Sequence, residues 1–154
     1  FIMRLMIIAV GRARLGVERD LFEHFTDRLT WSLTLREVDI RKRMPDDKRI
    51  AEEGRLILEQ VPPGARLIAL DEHGRDLSSR DFAGKLTNWR DDGVSDIAFA
   101  IGGADGLDPA VTRRADLSLA FGRATWPHML VRGLLAEQIY RAQQIAAGHP
   151  YHRD

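Results

Sequence analysis

Ile97-Ala-Phe-Ala-Ile-Gly-Gly103 is a five-residue apolar run broken at once by two glycines. An uninterrupted apolar run of this length, stopped by a turn signal, reads as a strand buried on both faces. Helical signals flank it. Upstream, Phe82, Leu86 and Trp89 share one face, behind a cap candidate in Ser78 or Ser79. Downstream, Asp108-Pro109 supplies a cap and a first-turn residue for a short helix over Ala110–Ala115.

The same alternation extends outward. Arg4–Val10 is an apolar strand run ended by Gly11, and Gly11–Gly16 is a loop. Leu21, Phe22, Phe25 and Leu29 form a helical stripe within Glu18–Leu29, and Leu33–Ile40 alternates as a strand does. A basic loop, Arg41–Asp47, precedes a helix over Ile50–Val61 that Pro62-Pro63-Gly64 stops. Arg66–Leu70 is a strand followed by an Asp71–Gly74 loop, and Leu117–Phe121 is a last strand. The final helix has Pro127 in its first turn, a stripe of Leu130, Val131, Leu134, Leu135, Ile139, Ala142, Ile145 and Ala146, and a stop at Gly148-His-Pro150. Two-sided apolar strands separated by helices predict an α/β fold, a parallel sheet covered on both faces. No linker divides the chain, so residues 1–154 form a single domain, with Met3 a natural start and Phe1-Ile2 upstream of it.

Composition narrows the chemistry. The chain has no cysteine, which excludes disulfides, a thiolate nucleophile and a Cys-based zinc site, and fits a cytoplasmic location. Its 23 basic and 23 acidic residues cancel. Nucleic acid would therefore have to be met by local patches such as Arg12/Arg14, Arg41-Lys42-Arg43 or Arg113-Arg114. The longest apolar run, Leu5–Val10, is too short to cross a membrane.

Ligands of such sheets bind beyond the carboxyl ends of the strands. Three of those ends carry informative loops: after Leu70, after Ile101 and after Phe121. Gly102-Gly103 permits close backbone approach, but it is not the dinucleotide fingerprint, which disfavours an oxidoreductase. Asp71-Glu72-His73 reads as a solvated turn, so no metal is expected. His128/Arg132 and Glu137/Arg141 are spaced to share helix faces. The tail His149-Pro-Tyr-His-Arg153 concentrates proton-exchanging and anion-binding groups where a chain end usually frays.

These pieces taken together resemble the bacterial ribosomal RNA large-subunit methyltransferase H family of SPOUT methyltransferases. The matching segments are Met3–Gly11, Leu70-Asp71, Ile101–Leu107, Thr125–Arg132, Glu137–Ala142 and, most specifically, His149–Arg153. The resemblance implies a three-layer α/β/α domain with a C-terminal trefoil knot. It implies a homodimer whose last helix packs into the interface, a role its long stripe suits. The implied activity is methyl transfer from S-adenosyl-L-methionine to N3 of a pseudouridine in 23S ribosomal RNA of the assembled ribosome. Cofactor contacts carry over to Leu70, Gly102, Phe121, Gly122, Arg123, Ala124, Thr125 and Trp126, with Arg123 and Trp126 standing where smaller or aliphatic residues are familiar. Catalytic candidates are His152, Tyr151, Arg153, His149 and His128: a histidine as base, Tyr151 to orient the nucleobase, Arg153 to hold RNA or stabilise the anion. The competing readings are a SPOUT enzyme on another RNA and a ribosome-binding factor without catalysis.

Overall fold

A computed structural model describes residues 3–154; the reading of Phe1 and Ile2 as upstream residues lies outside them. The strands are β1 (Arg4–Val10), β2 (Ser32–Val38), β3 (Arg66–Asp76), β4 (Asp96–Ile101) and β5 (Leu117–Ala120). The helices are α1 (Val17–Thr26), α2 (Asp46–Gln60), α3 (Ser79–Asp91), α4 (Pro109–Arg114) and α5 (His128–Ala146). All pairings are parallel, in the order β2-β1-β4-β3-β5. Parallel neighbours need crossovers, and a helix follows each of the first four strands to supply one.

Side-chain alternation sorts the two faces. Leu5, Ile7, Ile97, Phe99, Ile101 and Ile68 point to one face, where Phe82 and Leu86 of α3 and Leu135 and Ile139 of α5 cover them. Ile8, Val10, Leu67, Ala98 and Ala100 point to the other, under Ile57 of α2 and Val111 of α4. Strand β4 is thus large on one side and small on the other, and the alanines let the α2/α4 layer sit close. This is the expected three-layer α/β/α arrangement. Strands β2 and β5 are the edges, and in β2 Leu33 and Leu35 are half-buried while Thr34, Arg36 and Glu37 are exposed. Among the described residues no helix is long and apolar enough to cross a membrane.

Two local expectations change. Asp71–Gly74 is not a loop that ends its strand. Strand β3 runs on to Asp76, and Leu70 and Arg75 both pair with Leu119, so the residues between them bulge from the ladder. Gly74 makes this possible: a Cβ there would lie 2.7 Å from the Ser118 and Leu119 backbone. Pro127 is the N-cap of α5 rather than part of its first turn, with ψ 135°. The middle of the α5 stripe faces inward. Leu135, Ile139 and Ala142 are fully buried in this chain's own core, and a Cβ on Gly133 would meet Leu21 of α1 at 2.7 Å. Leu130, Val131, Leu134 and Ile145 of the same stripe are only part-buried, and Ala146 is exposed.

Candidate active site

A cleft of about 500 Å³ opens beyond the carboxyl ends of β3, β4 and β5. Leu70, Gly102, Phe121, Gly122, Ala124, Thr125 and Trp126 all line it; Arg123, predicted with them, does not and is exposed. Sheet order explains the convergence. Strands β4, β3 and β5 are neighbours, so loops that follow residues 101, 70 and 120 meet over adjacent strand ends.

Each wall of the cleft has a specific support. Gly102 is where the Gly102–Leu107 turn folds back on itself: a Cβ there would lie 2.6 Å from the Gly106 carbonyl carbon. Gly106 N–H donates to Gly103 O at 3.0 Å, and Gly106 takes φ +83°, a conformation side chains resist. Behind this turn stands α2. Arg49 ion-pairs with Asp105 and lies 3.6 Å from Glu53. Gly54 lets Asp108 rest on the helix, since a Cβ there would sit 2.7 Å from Asp108 Cβ. The same Asp108 caps α4 by accepting from Ala110 N–H at 2.9 Å. Burial first, and then the Asp105 and Asp39 charges, raise the Glu53 pKa against the opposing pull of Arg49.

The opposite wall is tied to the β3 bulge. Gly122 N–H donates to Asp76 at 3.1 Å, Thr125 Oγ1 donates to Glu72 at 3.0 Å, and Trp126 Nε1 donates to Phe121 O at 2.9 Å. Apolar Leu70, Ile101, Leu119 and Val131 form the floor, and Asp71, Glu72 and Asp105 are carboxylates at the rim. The glycine cradle, the apolar floor and the rim carboxylates suit a flat, largely apolar ligand that carries a positive charge.

His128 heads α5 and lines this cleft and also a second cavity of about 520 Å³, bounded by the Arg12–Leu15 loop, α1 and Arg132. Burial first, and then the Arg132 charge, lower its pKa below the ordinary 6.5. The imidazole is therefore neutral at physiological pH and able to accept a proton. Arg132 itself is 2% exposed. It donates to Glu37 Oε2 at 2.6 Å, Val10 O at 3.2 Å and Gly11 O at 3.1 Å. Glu37 also accepts from Ala13 N–H at 2.7 Å. Burial would push the Glu37 carboxyl up, but the bonds from Arg132 and Ala13 and the charges of Arg132 and Arg12 outweigh it and hold it low.

The tail is elsewhere. None of His149, Tyr151, His152 or Arg153 lines the cleft. The chain turns at Gly148 (φ +71°), and His149 N–H donates to Gln144 O at 2.9 Å. Tyr151 then lies back on α5, its hydroxyl donating to Glu137 at 3.2 Å and the Arg141 guanidinium over its ring at 4.8 Å. Burial first, and then the Glu137 charge and hydrogen bond, raise the Tyr151 pKa, so it stays a donor. Arg141 is 3.1 Å from His152 Nδ1. A guanidinium only donates, so Nδ1 accepts and the proton sits on Nε2, which donates to Asp154 at 2.8 Å. Arg80 of α3 holds the same Asp154 at 2.7 Å. Both His152 ring nitrogens are thus engaged, His149 Nδ1 accepts from Tyr151 N–H at 3.2 Å, and Arg153 is exposed. Thirteen residues of helix separate His128 from Arg141, a distance of roughly 20 Å at 1.5 Å per residue.

Sequence reasoning missed the α2 buttress, Arg49, Glu53 and Gly54. One signal was available: a glycine inside a helical stripe costs about 1 kcal/mol against alanine and calls for a packing reason.

Residues 3–152 match the family model described as predicted SPOUT methyltransferase. The chain is 64% identical over 151 residues to the ribosomal RNA large subunit methyltransferase H of Rhodospirillum centenum, covering 98% of this chain and 99% of that one. It is 54% identical to the protein of the same name from Paramagnetospirillum magneticum, with the same coverage. Among solved structures, a probable methylase family protein from Haemophilus influenzae Rd KW20 superposes with a TM-score of 0.59 at 11% identity, over 99% of this chain and 71% of that one. At that identity the likeness concerns the fold alone.

Proposed function

Because the chain belongs to the ribosomal RNA large subunit methyltransferase H family of SPOUT methyltransferases, we propose that it methylates N3 of a pseudouridine in 23S ribosomal RNA of the assembled ribosome. It does so in the cytoplasm, as a homodimer, with S-adenosyl-L-methionine as donor and its cleft loops threaded as a trefoil knot. The observation that carries this reading is the cleft itself, lined by seven of the eight residues predicted to hold the cofactor. The bound cofactor supplies a methyl group activated on a sulfonium sulfur. Leu70, Gly102, Phe121, Gly122 and Ala124–Trp126 would hold it, and the rim carboxylates would favour its charge.

In-line displacement asks for orientation rather than a covalent intermediate. Transfer of the sulfonium methyl group to N3 would release the cofactor's thioether and require the N3 proton to leave. His128 is neutral, lines the cleft and takes that proton. Tyr151, His152 and Arg153 serve the cleft of a second copy, because in their own chain they sit at the far end of α5. Glu137, Arg141 and Asp154 hold Tyr151 and His152 rigid, which leaves Arg153 to grip RNA. Leu15 and Val17, 86% and 78% exposed, and the part-buried residues of the α5 stripe offer the second copy an apolar contact.

The test is labelled methyl incorporation from S-adenosylmethionine into purified ribosomes of a strain lacking the enzyme. Arg153→Ala and His128→Asn should each lower turnover strongly while calorimetric cofactor binding stays near wild type. Mixing Arg153→Ala chains with a cleft-blocked Gly102→Val variant should recover part of the activity. Unchanged turnover in both single variants would end the proposal.

A further inference from the structure

We infer that the loops following β1 and β2, Gly11–Gly16 and Asp39–Pro45, form the surface that grips RNA phosphates beside the cleft; this rests on the function proposed above. The two loops are adjacent. Val10 pairs with Val38, and Gly11 N–H donates to Val38 O at 2.8 Å. In a parallel sheet both leave by the same edge as the cleft loops. Order β2-β1-β4-β3 puts the β2 loop roughly 15 Å from the β3 bulge, three strand spacings along one rim.

Charge divides that rim. The cleft half carries the carboxylates of Asp71 and Glu72, with Asp105 ion-paired to Arg49 and Arg123 exposed nearby. The other half carries Arg12, Arg14, Arg41, Lys42 and Arg43, all exposed. Of its acids, Asp39 lies 3.6 Å from Arg12 and 3.8 Å from Arg41 and Glu37 is held by Arg132 and Ala13, while Glu18, Asp46 and Asp47 are exposed. Among the described residues Arg14, Lys42 and Arg43 have no carboxylate within ion-pair distance. In a chain with 23 charges of each sign, this is a local excess rather than an overall bias. A polyanion is drawn to one half of the rim and repelled from the other. Between the halves stands His128, lining both cavities. A strand with its phosphates on the basic loops therefore passes His128 on the way to the cleft, and only a base need enter the acidic half.

The test uses the full chain with Arg14, Lys42 and Arg43 all changed to Ala. Binding to a 23S ribosomal RNA transcript is followed by fluorescence anisotropy between 50 and 200 mM NaCl. Loss of three phosphate contacts should lower the slope of log K against log salt by about 2 to 3. The KM for ribosomes should rise with kcat, thermal midpoint and calorimetric cofactor binding unchanged. An unchanged salt slope and KM overturns the inference, as does a wild type with no salt-dependent RNA binding. Weakened binding to purified large ribosomal subunits with an unchanged slope on the transcript also overturns it, and points to a ribosomal protein on these loops. If instead wild type neither binds S-adenosylmethionine nor methylates, the proposed function fails, and the salt slopes still report on the loops.

Discussion

Arg132→Met tests how the last helix is joined to the first strand. The substitution keeps most of the side-chain length and removes the charge. It deletes three donated bonds, to Glu37, Val10 O and Gly11 O, and leaves Glu37 facing an apolar side chain. Breaking a buried pair by removing one partner costs about 3–5 kcal/mol. Glu37 keeps 30% of its side chain in water, so the low end, about 3 kcal/mol, applies. For a chain of this length each kcal/mol moves the thermal midpoint by about 2–4 °C, giving a drop of roughly 6–12 °C. Urea titration of wild type, Arg132→Met, Glu37→Gln and the double variant closes a cycle with a coupling of about 2 kcal/mol. The pH dependence has a defined sign. The Glu37 pKa is depressed in the fold, so its contribution is present above the ordinary 4.5 and is lost as pH falls through the lower folded value. The Glu37→Gln variant should lack that acid loss. Single variants within about 0.5 kcal/mol of wild type, or strict additivity, would refute the reasoning.

Further measurements follow from particular contacts. Gly102→Ala drives a Cβ to within 2.6 Å of the Gly106 backbone, which cannot yield as a side chain would, so calorimetric cofactor binding should be lost. Gly54→Ala should destabilise by about 1–2 kcal/mol, because overpacking against Asp108 exceeds the gain in helix propensity. In contrast, Gly84→Ala in α3 meets nothing within 4 Å and should stabilise by about 0.5–1 kcal/mol; denaturant midpoints separate the two. His128 has a depressed folded pKa, so its contribution to stability is present above the ordinary 6.5 and lost as pH falls through the lower folded value. His128→Asn should flatten that limb in thermal melts and remove the matching acid limb of the methyl-transfer profile.

Much of the fold was legible before any coordinates. Apolar runs at Arg4–Val10 and Ile97–Ile101 announced strands buried on both sides, and the Phe82/Leu86/Trp89 spacing announced the helix that covers them. Ser78 and Asp108 were readable as caps, since a short polar side chain before an apolar stripe has few other uses. The cleft was legible as three loops because parallel strands share a carboxyl edge. Asp71–Gly74 was misread: its polar residues look like a strand end, and nothing local shows that Ser118 waits beneath Gly74.

The sequence by itself determined the alternation of strands and helices, the glycine turn at Gly102 and the concentration of chemistry in the tail. These depend on neighbours a few residues apart, where periodicity and turn preference act. Only the tertiary structure decided that β3 and β5 lie side by side, that Arg49 and Gly54 brace a loop some fifty residues away, and that Arg132 ties α5 to the end of β1. It also placed the tail on α5, away from the cleft of its own chain. Such pairings form between surfaces that exist only once the sheet has ordered, so no local pattern carries them.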